Sequence, residues 1–179
     1  DFSRYADKDA LEKAKEADPG YSPTYNVLGL FYQRIGENNK AESNFKRAWS
    51  LNSNDSSTLN NYGSFLCAQK RLADSEAAFK RAAANPLYET PEIAITNAGL
   101  CLYGNQKTVE AEKYFRQALQ LNPRVPQALI KMCEISFQQS NYLSARAYLQ
   151  RYQQIARHTS KSLWLGVQIE QQLGDKDAV

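Results

Sequence analysis

Large apolar residues recur along the chain in groups framing one small residue: LGLFY at 28–32, YGSFL at 62–66 and AGLCL at 98–102, offset by 34 and then 36 residues. Within each group the apolar positions lie three and four apart, the interval of a helix with one buried stripe. A second set follows each group, with Ala41, Phe45 and Ala48, then Ser75, Phe79 and Ala82, then Ala111, Phe115 and Ala118 again at intervals of four and three. Asn52 with Asn54, Pro86 and Pro123 stop the second stripe each time. The pattern predicts two helices per period and no strands. A fixed period of this length signals a solenoid.

The period and its slots match the tetratricopeptide pattern. In residues 22–55, Tyr25 stands at the large aromatic slot, followed by Leu28, Gly29, Tyr32, Ala41, Phe45 and Ala48, with Ser53 in place of the terminal proline. Residues 56–91 repeat the set and include the two-residue insertion Thr90–Pro91; residues 92–125 carry it through Pro123, and residues 126–159 are a looser copy with Cys133 at the small slot. Residues 1–21 read as a lone second helix and residues 160–179 as a lone first helix, so the whole chain is predicted to be one domain. The expected fold is all-α, a right-handed superhelix of antiparallel helix pairs, with first helices lining a concave face and second helices outside. Glycine in a helix interior costs up to about 1 kcal/mol against alanine, so its return at Gly29, Gly63 and Gly99 implies a close approach between helices.

Composition removes several functions. A net charge of +3 with 42% hydrophobic residues fits neither a disordered chain nor a nucleic-acid binder. Lys46–Arg47, Lys70–Arg71 and Lys80–Arg81 alternate with acids on second helices and read as a solvated outer face. His158 is the one histidine, and three cysteines without a CxxC pair complete no metal site. No nucleophile elbow, phosphate loop, dinucleotide turn or HExxH is present, so neither catalysis nor a cofactor is expected. A protein partner is.

The register predicts the groove lining: Asn26, Leu30, Gln33 and Arg34, then Asn60, Ser64 and Cys67, then Ile93, Thr96, Leu100 and Tyr103, then Ile130, Glu134, Phe137 and Gln138, and last Trp164 and Gln168. Amides mixed with Leu100, Tyr103, Phe137 and Trp164 suit an extended or helical segment with apolar anchors, or else half of these aromatics pack between neighbouring repeats. Tetratricopeptide domains that capture chaperone carboxylates carry Lys, Arg and Asn in these helices. Here Asn26, Leu30 and Ile93 hold those slots and only Asn61 matches, which disfavours that use.

Beyond the repeat, NNYGSFLCAQKR (60–71), NPLYETPEIAITNAGLCL (85–102) and SLWLGVQIE (162–170) resemble the PilF/PilW family of type IV pilus biogenesis lipoproteins. The resemblance covers nearly the whole chain. It implies a six-repeat periplasmic factor, lipid-anchored to the outer membrane, that supports assembly or placement of the pilus secretin. The chain begins at Asp1 without Met, which reads as a mature or trimmed fragment, and it lacks the family's lipidated cysteine. Membrane attachment is expected only through such an anchor, and a monomer is favoured. The competing classes are a generic tetratricopeptide scaffold or co-chaperone adaptor, and a regulatory subunit. If the partner avoids the groove, the region around Phe2, Tyr5 and Leu11 is the next candidate.

Cys67 and Cys101 occupy similar heights on consecutive first helices, where the 8–10 Å between axes lets two Cβ atoms meet a disulfide's span. A Cys67–Cys101 bridge and three free thiols are about equally expected, and an oxidising compartment permits the first. Cys133 reads as a packing residue.

Overall fold

A computed structural model describes residues 2–174, with side chains from Lys8 onward. The side chains of Phe2 and Tyr5, and residues 175–179 of the last half-repeat, lie outside the described residues. Those described form ten helices and no strand: α1 (Phe2–Ala17), α2 (Ser22–Arg34), α3 (Asn38–Leu51), α4 (Ser56–Ala68), α5 (Leu72–Ala84), α6 (Pro91–Gly104), α7 (Thr108–Leu121), α8 (Pro126–Gln138), α9 (Tyr142–Gln153) and α10 (Ser160–Leu173). Two compact units divide the chain, Asp1–Glu89 and Thr90–Val179, and the division falls at the Thr90–Pro91 insertion.

Local chemistry starts most of the first helices of the pairs. Proline lies in the first turn of α2, α6 and α8, where its missing N–H costs nothing. Asp55 caps α4 by accepting from the Thr58 N–H at 3.1 Å, and Thr159 and Ser162 form a capping box on α10. The turn inside each helix pair repeats in detail. Gly36, Lys70, Gln106 and Ser140 stand at one slot of the period, and all four have positive φ, at 80°, 63°, 64° and 58°. The amide one residue later donates back across the turn, Glu37 to the Tyr32 carbonyl at 2.9 Å and Asn141 to that of Ser136 at 2.8 Å. A left-handed residue is therefore built into every turn, although only the first is glycine.

In the first unit, α2 packs on α3 and α4 on α5, with α3 also against α4 and α1 against α2. Its core joins Leu28, Phe31, Tyr32, Phe45, Tyr62, Phe65 and Leu66, and the Phe45 ring lies 5.6 Å from Phe65 and 5.8 Å from Tyr62. In the second unit, α6 pairs with α7 and α8 with α9, and α10 lies against α9 and α8. There Leu129, Cys133, Leu149, Tyr152, Leu165 and Ile169 form a core.

The small slot of the first helix meets the ring of the second. A Cβ on Gly29 would stand 2.7 Å from the Phe45 ring, one on Gly63 2.9 Å from Phe79, and one on Gly99 2.7 Å from Phe115. Ala48, Ala82 and Ala118, the small residues of the second helices, are buried too, but the tight contact is glycine against phenylalanine. The looser repeat changes both partners: Cys133 replaces the glycine and Leu149 the phenylalanine.

Second helices carry ion pairs four residues apart, Glu42–Lys46 at 2.9 Å, Glu76–Lys80 at 2.8 Å and Glu112–Arg116 at 2.6 Å. Glu42 also accepts from Arg71 at 2.8 Å and from the Tyr62 hydroxyl at 3.1 Å. The hydrogen bonds from Arg71 and Lys46 bring its carboxyl down to about 2. Burial, then the bond to Glu42, pushes the Tyr62 hydroxyl up to about 12.

Candidate protein-interaction faces

In the first unit the candidate residues come from α2 and α4, which lie side by side. The Asn61 side-chain amide donates to the Asn26 oxygen at 3.2 Å, joining the two helices. Gln33, Asn60 and Ser64 are half-buried, and the Ser64 hydroxyl turns back onto the Asn60 carbonyl at 3.1 Å. Leu30 is exposed. With Ala10, Leu11, Val27, Phe31 and Arg34 it lines a cavity of about 430 Å³, and the Arg34 guanidinium lies 5.8 Å from the centre of the Phe31 ring. This wall is apolar with one cation at its edge.

In the second unit α6, α8 and α10 bring together residues some 30 positions apart. Glu134 is buried, and one carboxylate oxygen accepts from Lys131 at 2.7 Å and from the Tyr103 hydroxyl at 3.2 Å. The other oxygen lies 2.8 Å from the Lys161 ammonium. Gln138 donates to the Tyr103 hydroxyl at 3.3 Å, and Lys131 sits 4.8 Å from the centre of the Tyr103 ring. Burial by itself would raise the Glu134 carboxyl, but hydrogen bonds and charge from Lys131 and Lys161 overcome it and hold the group below the usual carboxylate range. Burial, then the Glu134 charge, raises Tyr103. Glu134 therefore stays ionised and ties three helices through one carboxylate.

The remaining candidates of this unit divide between core and surface. Ile130 and Phe137 pack against the α8–α9–α10 core, and Phe137 meets the Tyr142 ring edge-on at 5.5 Å, so both serve packing. Leu100 is half-buried, whereas Trp164 is 61% exposed on α10. Lys131 and Lys161 were not among the residues expected from the register. The signal was present: a lysine and a glutamate three apart on α8, and a lysine at the second position of α10, where the register turns inward.

The cysteines differ in setting. Cys101 is buried on α6 and Cys67 half-buried near the end of α4. Cys133 is a free buried thiol, which burial, then the charge of Glu134, pushes up to about 12. Among the described residues no group of His, Cys, Asp and Glu could hold a metal ion, and no helix is long and apolar enough to cross a membrane.

Tetratricopeptide repeat models match residues 22–55 and 102–164. The chain is 29% identical over 167 residues to the type IV pilus assembly protein PilF of Pseudomonas aeruginosa, covering 93% of this chain and 66% of that protein's length. A protein of Haemophilus influenzae without an assigned function is 32% identical over 97 residues, or 54% of each chain. The crystal structure of PilW, described as a widely conserved type IV pilus biogenesis factor, superposes with a TM-score of 0.81 at 30% identity, over 98% of this chain and 80% of that one. The structure of P. aeruginosa PilF gives 0.87 at 28% identity, over 98% and 79%. With its repeats matched by the tetratricopeptide models and 98% of its length followed by each of the two solved relatives, the chain belongs to the PilF/PilW family of type IV pilus tetratricopeptide proteins.

Proposed function

We propose that this protein is a non-catalytic interaction factor in type IV pilus biogenesis, supporting the assembly or outer-membrane placement of the pilus secretin. The observation that carries the reading is similarity to PilF and PilW along nearly the whole chain, together with a repeat fold whose general use is protein binding. The first-helix faces support it, since they combine exposed apolar side chains with amides and a few fixed charges and hold no catalytic constellation among the described residues. A cell-envelope location fits the same relatives. Within it we place the protein at the periplasmic side of the outer membrane, held by a lipid, with Cys67 and Cys101 bridged in that oxidising compartment. Deletion of the gene, followed by assay of heat-resistant secretin multimers and surface pili, tests the reading. Loss of both is expected. Normal amounts of both in the null strain would refute it.

A further inference from the structure

We propose that the α6–α8–α10 face of the second unit docks a partner segment in which a carboxylate neighbours an aromatic side chain, the carboxylate on Lys161 and the ring on Trp164. This deepens the functional reading above by naming the chemistry of the partner.

Charge on this face is sparse and directional. The charged residues of the three helices are Glu92, Lys131, Glu134, Lys161 and Glu170. Glu92 keeps its charge while accepting from Asn122, but it stands eleven residues, about 16 Å, before Tyr103 along α6, and Glu170 is paired with Arg146 of α9. Lys131, Glu134 and Lys161 remain, and two ammonium groups against one carboxylate leave one positive charge. The two lysines are not equivalent. Lys131 is 21% exposed and lies against the Tyr103 ring, whereas the Lys161 side chain is 72% exposed. Lys161 spends one N–H on Glu134, and an ammonium has three, so its others point to solvent with charge to offer.

The apolar half of the site lies beside it. Trp164 follows Lys161 by three residues on α10, and residues three apart share a helix face. The residue is 61% exposed, and its indole is a large rigid surface that loses little entropy on binding. Glu134 holds the Lys161 ammonium in position before any partner arrives, which lowers the ordering cost of the complex. A single exposed ammonium, sharing Glu134 with Lys131 and standing next to one ring, matches a side-chain carboxylate with an adjacent aromatic; the face has no arginine fork for a phosphate and no basic stripe for a nucleic acid.

Trp164 reports on its own site once the second tryptophan is removed. Trp49→Phe does so while sacrificing no hydrogen bond, because the buried Trp49 indole N–H has no partner. Purified Trp49→Phe protein is titrated with three blocked peptides, Gly-Asp-Phe-Gly-Asp-Phe-Gly and the same sequence with Lys or Asn at the Asp positions, following Trp emission. The Asp peptide is expected to shift the emission saturably in the millimolar range, at least about tenfold more tightly than the Lys peptide, since a charge-assisted hydrogen bond is replaced by repulsion. Lys161→Gln, which keeps a donor toward Glu134, should weaken the Asp peptide by about tenfold with unchanged far-UV circular dichroism. Equal binding of all three peptides, no saturation by the Asp peptide, or an unaffected Lys161→Gln variant would each overturn the proposal. So would a self-association that Lys161→Gln abolishes without any peptide response, which would give the face to a second copy. The titration needs no pilus: normal secretin in the null strain defeats the functional reading and leaves this site standing, and a failed titration does the reverse.

Discussion

Gly29→Ala separates helix propensity from packing, because the two predict opposite signs. Propensity alone makes alanine in the interior of α2 more stable than glycine by about 1 kcal/mol. The structure puts the added methyl 2.7 Å from two carbons of the Phe45 ring and 2.9 Å from a third. That ring is fully buried and bounded by Tyr62 and Phe65, so it has no space into which to retreat. Overpacking of this kind costs about 1–3 kcal/mol, which exceeds the propensity gain in most of its range and leaves a net loss of up to about 2 kcal/mol, near 1 kcal/mol at mid-range. With a urea slope of about 2 kcal/mol/M, the mid-range loss should lower the unfolding midpoint by far-UV circular dichroism by about 0.5 M. The chain itself suggests the rescue, since its fourth repeat sets Leu149 against Cys133 where the others set phenylalanine against glycine. Adding Phe45→Leu to Gly29→Ala should cost less than the sum of the single changes, with a coupling of about 1 kcal/mol. A Gly29→Ala protein with a raised midpoint, or a strictly additive double variant, would refute the close-contact explanation.

Three further outcomes follow from the same structure. Lys70, Gln106 and Ser140 hold left-handed backbone without being glycine, so Lys70→Gly, Gln106→Gly and Ser140→Gly should each stabilise by about 0.5–1 kcal/mol in urea unfolding, and a loss at all three would remove the turn argument. The Glu42 carboxyl lies at about 2 against an ordinary 4.5, so its contribution is complete above the ordinary value and disappears as the pH falls toward the folded one; Glu42→Gln should flatten the acid limb of the stability profile in that window, and an unchanged limb would contradict the Arg71 and Lys46 contacts. Thiol counting on denatured, unreduced protein should find one free cysteine, and native Cys133 should alkylate far more slowly than in urea because it is buried and its thiol lies near 12; three free thiols would reject the proposed Cys67–Cys101 bridge.

The helices and their period were legible in the sequence by itself, because both are local properties. Apolar spacing, Pro23, Pro91 and Pro126 at helix starts, and asparagine at helix ends act within one or two turns of chain, and a repeat multiplies the signal. The family was legible too, carried by NNYGSFL and the two-residue expansion at LYETP rather than by any one repeat. Periodicity also marked Gly29, Gly63 and Gly99 as places of close approach. It did not say what approaches: Phe45, Phe79 and Phe115 stand sixteen residues later on another helix, and only the packed pair shows the ring against the missing Cβ. The turn residues were hidden for a related reason, since Lys70, Gln106 and Ser140 carry no glycine signal and are driven to positive φ by the closure of the two helices they join. The second-unit face depended on tertiary structure most of all. Slot positions selected Tyr103, Glu134 and Trp164 one helix at a time, but the carboxylate shared by Lys131, Lys161 and Tyr103 exists only where α6, α8 and α10 pack. Helix periodicity gives the direction of a side chain from its own axis; which charge it meets there depends on how neighbouring helices are set against each other, and that is decided by the whole core.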